Sequence, residues 1–339
     1  MNSLLTHVDS SLRSVDYTIT SMLSGFVPDT PCLEVFLFHP VFNDKSEIAQ
    51  NLVSPFEKFE VRNFRELIEF YLENEYKFVS PQDLYNGLNP LQKFIGLTFD
   101  DGYANNLRLV PLLKEYEICA TFFIATHCVM ENKPFWWDVV MHFRAQQGIP
   151  RLKTLRERNH LKTLRHDEID EYLYHEFGPQ SQFPPSELAR PMSAAELADF
   201  AKEDLVHLGN HTHNHAILTN YDIDGITSQI NQCQVAIHEM TGVTAMAISY
   251  PDGKYSDKVV AAAQRAGLSI GITTNPLRNI PPPTESEHLM RIDRPSLSGE
   301  FNIRHQCRAL RIGFSPFQKL RSLAIKSIQM WQPAPFDNQ

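Results

Sequence analysis

The chain has 339 residues, 42% hydrophobic and 21% charged, with a net charge of -9 at pH 7. That length and balance suffice for a buried core, and the acidic excess excludes a binder of phosphate backbones, which needs a basic face. Cys32, Cys119, Cys128, Cys233 and Cys307 are odd in number and lack C-x-x-C spacing, so a disulfide framework is not expected and a reducing compartment fits better. Asp9, Arg13 and Asp16 interrupt the start where a leader peptide needs an apolar run, and no stretch approaches the ~20 apolar residues of a membrane span. A cytoplasmic protein is expected.

Residues 1–30 read as an N-terminal helical segment. Strand-like apolar runs then recur over residues 34–39, 76–80, 94–99, 120–126, 205–209, 246–250 and 268–273. Helix-period segments lie between several of them, at 62–75, 107–116, 223–240 and 258–266, the last followed by Gly267 as a C-cap. About seven strands alternating with helices predict an α/β fold, an irregular (β/α) barrel of parallel strands over residues 31–300, with an open doubly wound sheet as the competing architecture. Residues 129–192 break the rhythm with Phe135-Trp136-Trp137, a basic run, an acidic run and a proline cluster, and predict a helical insertion. Residues 301–339 read as a C-terminal helical tail. Its Phe314, Phe317, Leu320, Leu323 and Trp331, with a few basic residues, suit packing on the barrel better than lying on a membrane surface.

Two motifs carry chemistry. Thr98-Phe99-Asp100-Asp101-Gly102 ends a strand run, and His211-Thr212-His213-Asn214-His215 follows another. Adjacent carboxylates at a strand end diverge, so one can ligate a metal while the other stays free as a base. His211 and His215 can face one way in a turn and share that metal. Taken singly, each motif has a plainer reading, an Asp helix cap and a solvated polar loop. Neither a phosphate-binding glycine loop nor H-E-x-x-H is present.

Together these motifs resemble the polysaccharide deacetylase family, carbohydrate esterase family four, whose catalytic unit is the NodB homology domain. Phe38-His39-Pro40-Val41, Ala120-Thr121-Phe122-Phe123 and Tyr250-Pro251-Asp252-Gly253 extend the resemblance over most of residues 33–125 and 192–295. It implies that Asp101, His211 and His215 hold a divalent metal, commonly zinc, and that Asp100 is the general base toward the attacking water. Thr212 would support the histidine loop, and the backbone N–H of Tyr250 would help stabilise the oxyanion. The chain departs from the family pattern twice. Ser249 stands about where many members carry an arginine that holds the catalytic Asp, and Arg291 is the expected substitute. The C-terminal leucine-x-histidine that supplies the general acid is missing, and His39 is the best replacement, ahead of His213. Trp136, Trp137 and Tyr250 are candidate substrate contacts, with core packing as the alternative for the tryptophans.

The expected function is metal-dependent removal of an N-acetyl group from an amino sugar in a glycan or glycan precursor. The partner is then a carbohydrate, not nucleic acid. The alternatives are a related O-deacetylase or amidase on another small substrate, and a non-catalytic glycan-binding barrel.

Overall fold

The computed structural model describes residues 14–24, 30–54, 57–283 and 286–312. Thr30–Glu300 form one compact unit, and the described residues before and after it belong to a second.

Seven strands make one parallel sheet: β1 (Cys32–Phe38), β2 (Lys77–Phe78), β3 (Lys93–Phe99), β4 (Ala120–Ile124), β5 (Val206–Asn210), β6 (Ala247–Ser249) and β7 (Ile270–Ile272). Their order is β1-β3-β4-β5-β6-β7. On one side of β3, β2 pairs with its first half (Phe94, Ile95) and β4 with its last two residues (Thr98, Phe99), so the barrel is irregular there. The strands are apolar on both faces, as a parallel sheet covered by helices requires. In β1, Leu33, Val35, Phe36 and Phe38 are all buried.

An extended segment closes the ring. Ile292 lies parallel to Ile272 of β7, and Ser296 lies parallel to Leu37 of β1. The Ile292 N–H donates to the Gly271 carbonyl at 2.8 Å, and the Leu37 N–H donates to the Pro295 carbonyl at 3.2 Å. Gly271 permits this seam, because a Cβ there would sit 2.3 Å from the Met290 carbonyl oxygen and 2.4 Å from the Tyr250 hydroxyl.

The helices form where the periodicity predicts them. In α1 (Val61–Glu73), Phe64, Leu67, Ile68 and Tyr71 face inward. Its Phe64 joins Phe38, Phe59 and Phe99 in an aromatic layer with ring centroids 4.7–5.4 Å apart. Burying such side chains contributes about 2–3 kcal/mol each. The segment expected as one helix over 107–116 divides into a 3₁₀ turn, Ala104–Leu109, and α2 (Val110–Tyr116), with Pro111 in its first turn.

The region predicted as an insertion is helical: α3 (Trp136–Gln146), α4 (Arg151–Leu161) and α5 (His166–Phe177). Val139, Val140, Leu161, Leu173 and Phe177 share one core with Tyr103 of the barrel. The chain returns through α6 (Ala194–Phe200) to β5, then α7 (Ile223–Thr241) and α8 (Asp257–Arg265). Gly267, the expected cap residue, has φ 86° just beyond α8.

The second unit holds a helix over residues 14–23 and α9 (Ile303–Ile312), with Tyr17 and Phe301 ring centroids 5.5 Å apart. The helical expectations for residues 1–13 and 313–331 lie outside the described residues. Among the described residues no helix is long and apolar enough to cross a membrane.

Candidate active site

Asp100–Gly102 and His211–His215 both follow the carboxyl ends of strands, the chemically active face of such barrels. Asp100 follows β3 and its N–H donates to the Phe38 carbonyl at the end of β1 (2.9 Å). The backbone then turns through positive φ at Asp101 (78°) and Gly102 (90°). After β5, Thr212 (63°) and His215 (50°) also take positive φ. Such angles cost free energy in non-glycine residues and persist only where the surroundings enforce them. Here Asn210 accepts from the Thr212 N–H at 2.8 Å, and the Thr212 hydroxyl oxygen accepts from the Ala216 N–H at 2.7 Å. Thr212 thus braces the loop as expected.

Asp101, His211 and His215 converge. The Nε2 atoms of His211 and His215 each lie 3.3 Å from Asp101 Oδ1. Among the described residues this is the cluster of His, Cys, Asp or Glu whose donor atoms could share one ion. The donors fit a divalent cation on three counts. Both Asp101 oxygens are buried without a hydrogen-bond partner. His211 Nδ1 lies 2.8 Å from the Ser249 carbonyl, so the proton belongs on Nδ1 and Nε2 keeps a lone pair toward Asp101. Burial pushes the His215 pKa down, which favours the neutral, ligating form despite the carboxylate beside it. Lone pairs facing a carboxylate at 3.3 Å repel unless a cation stands between them.

Asp100 is held apart from this trio by a different cation. Arg294, not Arg291, grips it: Nη1 donates to Oδ1 at 2.8 Å and Nη2 to Oδ2 at 2.7 Å. Arg294 also donates to the Thr98 hydroxyl and to Ser249 Oγ, both at 2.9 Å, and Ser249 Oγ donates to Asp100 Oδ2 at 3.0 Å. The small side chain at 249 leaves room for a guanidinium arriving from the closing segment. Arg291 pairs instead with Glu287 and Asp257, both at 2.8 Å, on the outer surface. Side chains alternate along an extended segment. Ile292 and Arg294 therefore point inward, each at most 1% exposed, while Arg291 lies in the turn before that segment, its N–H donating to the His288 carbonyl at 3.0 Å. Burial pushes the Asp100 pKa up, but Arg294 above all, with His39, outweighs it and holds the carboxyl below its ordinary value.

His39 follows β1, and its Nδ1 lies 3.1 Å from both oxygens of Glu57, a residue that sequence reasoning missed. Burial pushes the imidazole down, yet Glu57, with help from Asp101 and Asp100, raises its pKa to about 9. His213 turns away, with Nδ1 2.9 Å from the Thr126 hydroxyl.

Three substrate-contact expectations need correction. The Tyr250 N–H already donates to the Ile272 carbonyl (3.1 Å) and its hydroxyl donates to the Met290 carbonyl (3.0 Å), so neither is free as an oxyanion donor or a substrate contact. Trp136 and Trp137 are 7% and 4% exposed, too buried to present a stacking face to a sugar. Trp137 instead packs on His215, ring centroids 4.5 Å apart, and its indole N–H donates to the Tyr103 hydroxyl at 2.8 Å. The cavity lined by Trp136, Trp137, Asn214 and His215 has a volume of about 20 Å³, room for a water rather than a sugar ring.

Residues 88–271, more than half of the chain, match the family described as Polysaccharide deacetylase. The chain belongs to that family. It is 23% identical over 249 residues to YxkH of Bacillus subtilis (strain 168), a candidate polysaccharide deacetylase, covering 72% of this chain and 65% of that relative. The chain therefore spans just under two thirds of the curated relative it matches. Among solved structures, Streptococcus pyogenes deacetylase PplD in complex with acetate is similar, with a TM-score of 0.56, 16% identity and coverage of 83% of this chain and 99% of the other. A de-N-acetylase from Aggregatibacter actinomycetemcomitans gives 0.55, 15%, 82% and 99%, and IcaB from Ammonifex degensii gives 0.54, 15%, 83% and 97%. At these identities the likeness establishes the fold, a (β/α) barrel with surrounding helices.

Proposed function

We propose that this member of the deacetylase family is a metal-dependent hydrolase that removes the N-acetyl group from an amino sugar in a glycan or glycan precursor. The observation that carries the reading is the pairing of two neighbouring carboxylates in opposite states. Asp101 is buried, unpartnered and faced by two imidazoles, whereas Asp100 is gripped by Arg294. One N₂O donor set and one separate base are what metal-assisted hydrolysis requires.

Asp101, His211 and His215 would hold the metal, and the mixed nitrogen and oxygen donors suit zinc. A divalent ion there supplies Lewis acidity, lowering the pKa of water and polarising a carbonyl. Asp100, kept ionised and oriented by Arg294, accepts a proton as water oxygen bonds to the acetyl carbon. His39, held by Glu57, donates a proton to the nitrogen as the C–N bond breaks, releasing acetate and the free amine. A pKa near 9 keeps His39 charged at neutral pH and ready for that transfer.

The test is acetate release from N-acetylglucosamine-type and O-acetylated saccharides by metal-loaded and chelator-treated protein. Metal-dependent release from the N-acetyl substrates is expected. Release from O-acetyl substrates alone would reassign the bond, and no release from any substrate with metal bound would leave a glycan-binding barrel.

A further inference from the structure

The two histidines of the proposed metal set are anchored differently. His211 directs Nδ1 at the Ser249 carbonyl, 2.8 Å away, and that bond fixes which ring nitrogen faces Asp101. His215 has no such bond: its Nδ1 is buried and no protein atom pairs with it. Packing holds the plane of its ring, with the centroids of Trp137 and His211 at 4.5 and 4.7 Å. Packing alone does not choose between the two nitrogens, because a half-turn of an imidazole changes its shape little. A hydrogen bond to the nitrogen that does not ligate normally makes that choice, and losing it weakens metal binding.

The residue before it carries the complementary group. Asn214 Oδ1 is buried and equally unpartnered, although the Asn214 N–H donates to Gln229 Oε1 at 3.0 Å. Buried polar atoms are rarely left in that state. Asn214 and His215 both line two neighbouring cavities, of about 20 and 10 Å³, which also share Trp136 and His166 in their walls. His166 Nε2 is 3.2 Å from Asp170 Oδ2 but makes no hydrogen bond in that position. A space of this size holds one water where two to four polar groups face it.

We infer that one buried water joins Asn214 to His215, and that Asn214 is thereby a positioning residue for a metal ligand. The water accepts from His215 Nδ1–H and donates to Asn214 Oδ1, with His166 Nε2 as a third partner. His215 is then held with Nε2 toward Asp101, as the Ser249 carbonyl holds His211. A plain spacer in a polar loop gives no reason for a buried donor and a buried acceptor on the same cavity. The inference rests on the proposed metal set and adds to it a residue that touches neither the ion nor a reacting atom.

The test is zinc affinity of the full chain, measured by competition with a chelator. Asn214→Leu keeps the shape of the side chain and removes the acceptor, and should weaken zinc binding at least about tenfold. Asn214→Asp keeps an acceptor oxygen and should bind zinc at least as tightly as the unchanged chain. Thermal melting of the metal-free proteins reports whether each variant folds. A crystal structure of the zinc-loaded, unchanged chain needs no variant: density for one water within hydrogen-bond distance of His215 Nδ1 and Asn214 Oδ1 is expected. Unchanged affinity in folded Asn214→Leu, or an equal loss in Asn214→Leu and Asn214→Asp, would overturn the inference and leave the metal set standing. So would a zinc-loaded structure with a dry cavity or with a protein atom bonded to His215 Nδ1. A chain that binds no zinc at all would remove the metal set and this inference together.

Discussion

The barrel buries an arginine–carboxylate pair at each end, and the two ends differ in how completely their charges are satisfied. At the floor, Glu34 of β1 accepts from the Tyr71 hydroxyl and from the Tyr76 hydroxyl at 3.3 Å, and it is ion-paired with Arg278, whose Nε lies 2.8 Å away. At the mouth, Arg294 satisfies Asp100 just as fully, but Asp101 beside it has no hydrogen-bond partner for either oxygen. The backbone differs in the same sense, since Asp101, Thr212 and His215 take positive φ at the mouth, whereas Glu34 sits in regular strand. Equal burial of charge therefore does not mark a site. What distinguishes the mouth is a buried polar group left open, at the cost of local strain, for something the protein itself does not supply.

That contrast can be broken at several points. The largest effect is expected at the open group: His211→Ala and Asp101→Ala should lose both metal and activity, read by metal content and acetate release. Asp100→Asn should keep the metal and lose activity by about 10²–10⁴-fold. If Asp100→Asn lost the metal, Asp100 would be a ligand and the roles would reverse.

Next come the two arginines. Arg294→Met and Arg278→Met each strand a buried carboxylate and should cost about 3–5 kcal/mol in denaturant unfolding. Only Arg294→Met should also move the acid limb of the pH–activity profile upward, because it alone lifts the depressed pKa of Asp100. Equal pH shifts in both variants would erase the distinction between mouth and floor.

A smaller effect concerns His39. Its folded pKa, about 9, lies above the unfolded value near 6.5, so its contribution is fully present below about pH 6.5 and is lost as pH rises through about 9. Chelator-treated protein should lose on the order of 2–3 kcal/mol across that window, and Glu57→Gln should flatten the loss. Smallest is Trp137→Phe, which keeps a ring against His215 but removes the donor to Tyr103. A loss of about 1 kcal/mol in unfolding is expected, with little change in metal content.

The barrel was legible because its signals are local. Seven apolar runs, helix-period segments between them, and polar motifs at strand ends are properties of neighbouring residues. The convergence of Asp101, His211 and His215 was readable for the same reason: each motif follows its own strand, and parallel strands deliver their ends to one face. Arg294 was missed because Asp100 lies 194 residues away and the sequence offered two arginines three apart. The usable signal was the two-residue alternation of Ile292 and Arg294 once the run from residue 292 is read as extended, which puts Arg294 on the inner face and leaves Arg291 in the preceding turn. Tyr250 was misjudged because a hydrogen bond across to Ile272 cannot be read from either strand alone. Burial of Trp136 and Trp137 depended on how the helices of residues 126–192 close over the barrel.

The sequence by itself determined the strands, the face they share and the residue types at their ends, because periodicity and motif spacing act within a few residues. Tertiary structure alone decided which arginine reaches Asp100, that Glu57 holds His39, and that Tyr250 is already engaged. Those outcomes depend on how distant segments close the ring, and backbone pairing at that seam, not any local preference, sets which side chains point inward.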